Sequence, residues 1–174
     1  MKIHFHGAAQ TVTGSKHLIE FGSQKVLLDC GLFQGHGKDT DFLNRHFGFD
    51  PREIDAVVLS HAHIDHSGLI PALVAQGFKG PIFCTPATKD LCDIMLQDSA
   101  HIQESDVRYI NKRRIARGKA PIKPLYSSED VAYSLRLFKE FDYNTEFEVL
   151  NDLTCIFTDA GHIIGSAIVN LKIT

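Results

Sequence analysis

Apolar and polar positions alternate along several short stretches of the chain, and this period of two residues predicts β-strands. KIHFHG (2–7) alternates and stops at a glycine, while KHLIEF (16–21) and KVLLDCG (25–31) flank a short turn and predict a hairpin. Three more strands are predicted near the end of the chain: EFEVL (146–150), LTCIFTDAG (153–161) and GSAIVNLKIT (165–174).

Other strands are apolar throughout, and helical patterns lie between them. AVVLS (56–60) follows a turn at Asp50-Pro51 and GPIFCTP (80–86) is similar, which suits a sheet covered on both faces. The glycine-rich GLFQGHG (31–37) predicts a loop. Helices are predicted over 39–49, 66–77, 86–117 and 126–141, the last with Ser127 or Ser128 as its N-cap. Strands alternating with helices predict an α/β fold.

The composition excludes some classes of protein but does not indicate a function. A chain of 174 residues predicts one domain, and its net charge of −3 excludes a globally basic nucleic-acid binder but not a local basic patch. No apolar run approaches the ~20 residues of a membrane span, and the first residues lack a signal-peptide pattern. Four cysteines without a CxxC pair favour reduced thiols, so we expect a cytoplasmic protein that does not bind membranes.

The chemistry is concentrated in LSHAHIDHSG (59–68), which follows the apolar strand 56–60. His61 and His63 are two residues apart, so an extended chain points both imidazoles to one side. Asp65 and His66 follow where the chain turns toward a helix, and they would face a second point nearby. Imidazole and carboxylate donors without thiolate suit zinc, with manganese or iron as substitutes.

The same stretch resembles the signature of the metallo-β-lactamase superfamily. LLDCG with Asp29 and DAGHIIGSA with His162 resemble its first and third motifs, and all three occur in the expected order. Longer stretches are similar to the β-CASP group of RNA-processing nucleases within that superfamily. These are GAAQTVTGSKHLIEFGSQKVLLDCGLFQG, QDSAHIQESDVRYINKR and PLYSSEDVAYSLRLFKEFDY.

The resemblance implies the fold and the roles of the residues. Residues 1–174 would form the N-terminal portion of a four-layer αββα sandwich, incomplete in this chain, with the β-CASP cap and the C-terminal half absent. His61, His63 and His162 would bind one zinc ion; Asp65 and His66 would bind a second. Asp29 would orient a ligand by hydrogen bonding, and Asp65 would position an attacking hydroxide or accept its proton.

These implications lead to a metal-dependent ribonuclease, endonucleolytic or exonucleolytic, as the expected parent protein. The superfamily pattern also includes a bridging aspartate and cap motifs beyond the third motif, so the activity of the chain alone stays open. Uncovered strand edges and apolar faces predict oligomerisation or swapping. Two alternatives are another hydrolase of this fold, acting on a thioester or small ester, and a non-catalytic scaffold or partner module.

One basic stretch stands apart from the histidine motif. INKRRIARGKAPIK carries Lys112, Arg113, Arg114 and Arg117, which could contact RNA phosphates. A solvated helix end is the alternative interpretation, since cations also suit a helix C-terminus without any ligand.

Overall fold

The strands form two sheets in the part of the chain that the computed structural model describes, residues 1–35 and 38–174. In spatial order, the first sheet contains β1 (Lys2–Gly7), β2 (Lys16–Phe21), β3 (Gln24–Leu28), β4 (Ala56–Val58), β5 (Ile82–Cys84) and β6 (Phe138–Glu140). Strands β1 to β3 are antiparallel, and β3 to β6 run parallel. The second sheet is the antiparallel β7 (Glu146–Leu150), β8 (Leu153–Asp159) and β9 (Ala167–Ile173).

The helices cover one face of the first sheet and the second sheet covers the other. They are α1 (Lys38–Arg45), α2 (Ile64–Ser67), α3 (Ile70–Ala75), α4 (Pro86–Ile115) and α5 (Ser128–Leu135), with one 3₁₀ turn at Pro51–Glu53. Neighbouring residues point to opposite faces: Val57 is buried against the helices, and Val58 is buried against the second sheet. This two-sided burial explains why the central strands are apolar throughout.

The described residues therefore form three layers, helix on sheet on sheet, as expected for part of an αββα sandwich. Apolar side chains remain exposed on both sheets. Ile3 and Phe5 on β1 are 45% and 64% exposed, and Ile168 on β9 is 54% exposed. Such faces support the predicted self-association, which stays a prediction.

Three predicted helices differ from the structure, and the simplest case is the one predicted over 39–49, because α1 ends at Arg45. The segment 126–141 was predicted as one helix, but α5 ends at Leu135 and the next apolar residues form β6, which pairs in parallel with β5. A short apolar run can form either a helix or a strand. Here the unpaired edge of β5 favours the strand, because it offers backbone hydrogen-bonding groups to pair with. The segment 66–77 is not one helix, because α2 ends at Ser67 and α3 begins at Ile70. Between them the Leu69 amide donates to the Cys30 carbonyl at 2.8 Å.

Only the first half of helix α4 carries buried side chains. Thr85 caps it by accepting a hydrogen bond from the Thr88 amide, and a buried stripe recurs every four residues. The stripe consists of Thr88, Cys92, Leu96 and Ala100. No described α4 residue beyond Ala100 is buried, and the second half is held instead by hydrogen bonds, such as those that Gln103 Oε1 accepts from the Leu125 amide and Glu104 Oε1 accepts from the Ser128 amide. Across the described residues, no helix combines the length and apolar character needed to cross a bilayer.

The remaining local predictions agree with the structure. Strands β1 to β3 and β7 to β9 occupy the predicted stretches, and Ser127 caps α5 in a capping box with Asp130. The four cysteines are free and buried, as predicted for core thiols. The loop predicted over 31–37 is irregular through residue 35, while His36 and Gly37 lie outside the described residues.

Candidate metal centre

The histidine motif lies where neighbouring parallel strands end. Asp29 follows β3, and residues 59–66 follow β4, so these segments meet at the carboxyl edge of the first sheet. The Asp29 amide donates to the Val58 carbonyl at 3.0 Å, which holds the two strand ends side by side. A third segment, the loop 160–166 between β8 and β9, brings His162 to the same edge.

Three imidazole nitrogens converge in this cluster. His63 Nδ1 lies 3.2 Å from His61 Nε2 and 3.1 Å from His162 Nε2. The ligating atoms of all three residues lie within 4.8 Å of one another. The structure thus brings together the three residues that the sequence predicts for the first metal.

The spacing of these nitrogens fits a tetrahedral metal ion. With bonds of ~2.0–2.1 Å from zinc to imidazole nitrogen, two tetrahedral ligands are separated by about 3.3–3.4 Å. The two shorter separations seen here are close to that edge length. Because the three rings approach edge to face, with interplanar angles of 72–81°, their lone pairs can point toward a common centre.

Hydrogen bonds to the Asp29 carboxylate, directly or through Ser60, set the tautomers of His66 and His61. Its carboxylate can only accept, so His66 Nδ1, at 2.7 Å from Oδ2, carries a proton and donates it. Ser60 Oγ also donates to Asp29 Oδ2, at 3.0 Å, and therefore accepts from His61 Nδ1, at 2.9 Å. In the neutral form of each ring, both arrangements place the lone pair on Nε2, which is how a buried carboxylate orients histidines for metal.

The electrostatics differ between these two histidines. Burial, reinforced by the neighbouring imidazoles of His66, His63 and His162, lowers the pKa of His61 to about 4 despite Asp29 nearby. For His66, burial lowers the pKa, but the Asp29 hydrogen bond and the charges of Asp29 and Asp65 outweigh it, so its pKa is raised. His61 is therefore neutral at pH 7, with a lone pair available for a metal.

Asp65 and His66 form a second donor pair beside the trio. His66 Nε2 lies 3.8 Å from Asp65 Oδ2, and the His66 ring is centred 4.1 Å from that of His61. The backbone of this pair is fixed by two hydrogen bonds: the Ser15 amide donates to the Asp65 carbonyl at 2.8 Å, and Cys30 donates to His66 at 2.7 Å. Gly31 packs so closely that a Cβ there would lie 1.6 Å from the Asp65 carbonyl oxygen.

The loop that carries His162 is tied to the rest of the site. Thr85 and Thr88 at the start of α4 both donate from their hydroxyl groups to the Gly165 carbonyl, at 2.6 and 2.9 Å. The Ala167 amide donates to the Ser60 carbonyl at 2.9 Å. His162 is therefore positioned by contacts far from it in sequence, although its ring is exposed.

Sequence reasoning missed three residues that support the site. Ser60 connects His61 to Asp29, and Ser15 Oγ donates to Asp29 at 3.2 Å. Lys16 is 1% exposed, and its ammonium donates to the Gly14 and Gly31 carbonyls and lies 4.2 Å from the centre of the Phe33 ring. A lysine that begins a strand is normally solvated, so its sequence position gave no signal.

The structure places Asp29, the three histidines of the trio, and the Asp65–His66 pair in one cluster. It does not bring the basic residues there. Lys112, Arg113, Arg114 and Arg117 lie at or just beyond the other end of α4. The ligand, catalytic and RNA-binding roles remain predictions.

Comparisons with known proteins agree with this arrangement. A family model described as the metallo-beta-lactamase superfamily matches residues 13–140. Ribonuclease TTHA0252 from Thermus thermophilus is 40% identical over 169 residues, which are 97% of this chain and 34% of the ribonuclease. Transcription termination factor FttA from Methanosarcina mazei is 34% identical over 168 residues, 96% of this chain and 24% of that protein. The chain thus spans about a third of the length of the first relative and about a quarter of the second.

Solved structures share the fold at low identity. A metallo-β-lactamase from Cronobacter sakazakii matches 97% of this chain and 51% of its own, with a TM-score of 0.52 and 20% identity. A flavo di-iron protein from Thermotoga maritima matches 90% of this chain and 30% of its own, with a TM-score of 0.55 and 16% identity. These likenesses concern the fold alone, and they agree with the predicted α/β sandwich.

Proposed function

The chain belongs to the metallo-β-lactamase superfamily, and from that premise we propose that it carries the metal centre of an RNA phosphodiesterase. One observation carries the proposal: the ligating nitrogens of His61, His63 and His162 lie within 4.8 Å of one another, and two of their separations are near the tetrahedral edge length, although His63 and His162 are 99 residues apart in sequence. The family resemblance predicted from the motifs is confirmed. That one relative is named a ribonuclease supports RNA as the substrate.

The donor set suits divalent ions, and we propose zinc, with manganese or iron as substitutes. A bound ion would supply a Lewis acid and lower the pKa of a coordinated water. His61, His63 and His162 would hold the first ion, and Asp65 and His66 would hold a second. Asp65, whose side chain is 23% exposed, would also position the attacking water or accept its proton.

The supporting residues act on the ligands rather than on RNA. Asp29 holds His66 directly and His61 through Ser60, so the neutral form of each imidazole carries its lone pair on Nε2. We further propose a cytoplasmic protein, because four buried free thiols are typical of a reducing compartment.

Metal content tests the site first. Elemental analysis of the untagged 174-residue chain, purified without added metal, should find at least one zinc per chain. His63→Ala should lose the ion, while His101→Ala, which changes an exposed histidine on α4 outside the cluster, should retain it. A fractional value in the wild-type chain, or equal metal in both variants, would contradict the proposed centre.

Cleavage of end-labelled single-stranded RNA tests the activity. We expect metal-dependent cleavage that is lost in His63→Ala and retained in His101→Ala, with 5′-phosphate and 3′-hydroxyl products. The pattern of intermediates distinguishes endonucleolytic from exonucleolytic cleavage. Hydrolysis of a thioester by metal-loaded protein that leaves RNA intact would instead support the small-ester hydrolase, and binding of metal with neither activity would support a non-catalytic module.

A further inference from the structure

The C-terminal end of α4 and the segment that follows it carry many positive charges close together. Residues 108–123 contain seven cations and no carboxylate, although the whole chain has a net charge of −3. These cations are Arg108, Lys112, Arg113, Arg114, Arg117, Lys119 and Lys123. None of them takes part in the ion pairs formed among the described residues, although the pKa of the Glu104 carboxyl is lowered by the hydrogen bond from the Ser128 amide and also by Arg108, which lies close to it.

An aromatic side chain lies among these cations. Tyr109 is 63% exposed, and the Arg113 guanidinium carbon lies 6.0 Å from the centre of its ring. Together with Arg117 and Lys119, these two residues line a cleft of about 290 Å³. Proteins bind single-stranded nucleic acids through this combination of an exposed ring and nearby cations, because bases stack on the ring while phosphates pair with the positive charges.

The basic segment is braced and therefore presents a defined surface. The Asn111 side chain donates to the Ile122 carbonyl at 2.9 Å and accepts from the Ile122 amide at 2.8 Å. Arg114 Nε donates to the Ala120 carbonyl at 2.7 Å. These bonds fold residues 116–122 back along the helix and hold the cations together.

We propose that Tyr109 and the cations of residues 108–123 form a second binding site for single-stranded RNA, separate from the metal centre. Its role toward a substrate rests on the proposed nuclease function. Thr88, in the first turn of α4, contacts the loop that carries His162, and Arg113 lies 25 residues further along the helix. At ~1.5 Å per residue, the two ends are ~38 Å apart. A stacked strand, at ~3.4 Å per nucleotide, would need about 11 nucleotides to reach both sites.

Fluorescence anisotropy with a labelled 20-nucleotide single-stranded RNA tests this site in the presence of EDTA, so that the metal centre does not contribute. Arg113→Gln with Arg117→Gln should weaken binding at least fivefold and lower the salt slope by about 1.4, because each phosphate contact on a single strand contributes about 0.7. Tyr109→Leu should weaken binding at least fivefold, since losing one base stack costs a factor of roughly 5–150, and should leave the salt slope unchanged.

The matched control removes two exposed cations elsewhere, with Arg136→Gln and Lys139→Gln, and should bind RNA like the wild type. All changed residues are exposed, and thermal unfolding should confirm that each variant is folded. An equal loss of affinity in the control pair would overturn the inference. So would unchanged binding by Tyr109→Leu, or a preference for vesicles of acidic lipid over RNA.

The outcomes separate this site from the nuclease proposal. If the wild-type chain cleaves RNA but the Arg113/Arg117 variant binds it normally, the nuclease stands and the second site is wrong. If RNA is not cleaved but the variant loses binding, the second site stands without the nuclease.

Discussion

Replacing Asp29 by asparagine should separate metal binding from folding. The Asp29 carboxylate accepts four hydrogen bonds: Oδ1 from the Ser60 amide at 2.8 Å, and Oδ2 from the hydroxyls of Ser15 and Ser60 and from His66 Nδ1. An amide has one acceptor oxygen and one NH₂ donor. Because the Ser60 amide can only donate, the asparagine oxygen must take the Oδ1 position and its NH₂ must face His66.

That orientation reverses the tautomer of His66. The NH₂ group would donate to Nδ1, so the ring proton would move to Nε2, the atom that faces the proposed metal site. The NH₂ group has two protons for the three groups that bond Oδ2 in the wild type, so once His66 Nδ1 accepts one of them, only one of the two serine hydroxyls can rotate to accept the other. We expect zinc affinity to fall about 10- to 100-fold, as is typical when such a support is changed.

Asp29→Asn and Asp29→Ala should lower the free energy of unfolding by different amounts. Asparagine retains the Ser60 amide bond and tolerates the φ of +59° at this position, so exchanging charge-assisted for neutral bonds should cost ~1–2 kcal/mol. Alanine leaves the Ser60 amide and the Ser15 hydroxyl without this acceptor, at ~1–3 kcal/mol each, and adds ~1–2 kcal/mol of backbone strain. We therefore expect ~3–8 kcal/mol for Asp29→Ala.

Urea unfolding, zinc calorimetry and imidazole ¹⁵N NMR measure the three quantities separately. Asp55→Asn is the matched control, because its carboxylate also accepts a backbone amide, from Lys25 at 2.7 Å, but lies outside the site. The control should keep wild-type zinc affinity. Wild-type affinity in Asp29→Asn with the proton still on His66 Nδ1, or an Asp29→Ala cost below ~1 kcal/mol, would refute the reasoning.

Four further predictions concern other parts of the molecule. Burial lowers the pKa of Lys16 from 10.5 to about 8, so the wild type should gain up to ~3 kcal/mol over Lys16→Met between those pH values and nothing below them. Urea unfolding across that range measures the difference, and a constant difference would contradict the burial argument. Gly165→Ala should weaken zinc binding, because φ is +81° and a Cβ would lie 2.6 Å from the Thr88 amide; Gly118→Ala, where no atom lies within 4 Å, is the control, and equal zinc affinity in the two variants would count against this. The four buried thiols should resist Ellman's reagent in the native state and react in urea, whereas rapid native labelling would contradict their burial. Exposed Phe5 and Ile168 should promote self-association, and light scattering that shows a clean monomer would oppose this.

Much of the fold could be predicted because local patterns report local structure. Strand β2 is a short run rich in strand-forming residues beside a turn, and in the structure its neighbouring residues face different cores, with Leu18 toward the helices and Ile19 toward the second sheet. The capping box at Ser127 was predictable because all of its atoms lie within four residues. Strand β6 was not, because its conformation depends on pairing with β5, which is more than fifty residues away in sequence.

The same division applies to the site. The spacing of His61, His63, Asp65 and His66 is itself a chemical signal, since four metal-binding side chains after one strand have few structural roles. Their order with Asp29 and His162 added a family resemblance. Neither the spacing nor the resemblance could reveal that Ser60 connects Asp29 to His61 by hydrogen bonds, or that Lys16 is buried. Both facts depend on which segments pack together.

The sequence by itself determined the periodic elements, the candidate ligands and the basic run, because periodicity, donor chemistry and charge belong to neighbouring residues. Only the tertiary structure decided that His162 meets His63 within 3.1 Å, that Asp29 sets two tautomers, and that the basic run lies ~38 Å along α4. The physical reason is the order of the parallel strands. It brings the ends of β3 and β4 to one edge of the sheet, while α4 leaves that edge and carries its charged end away.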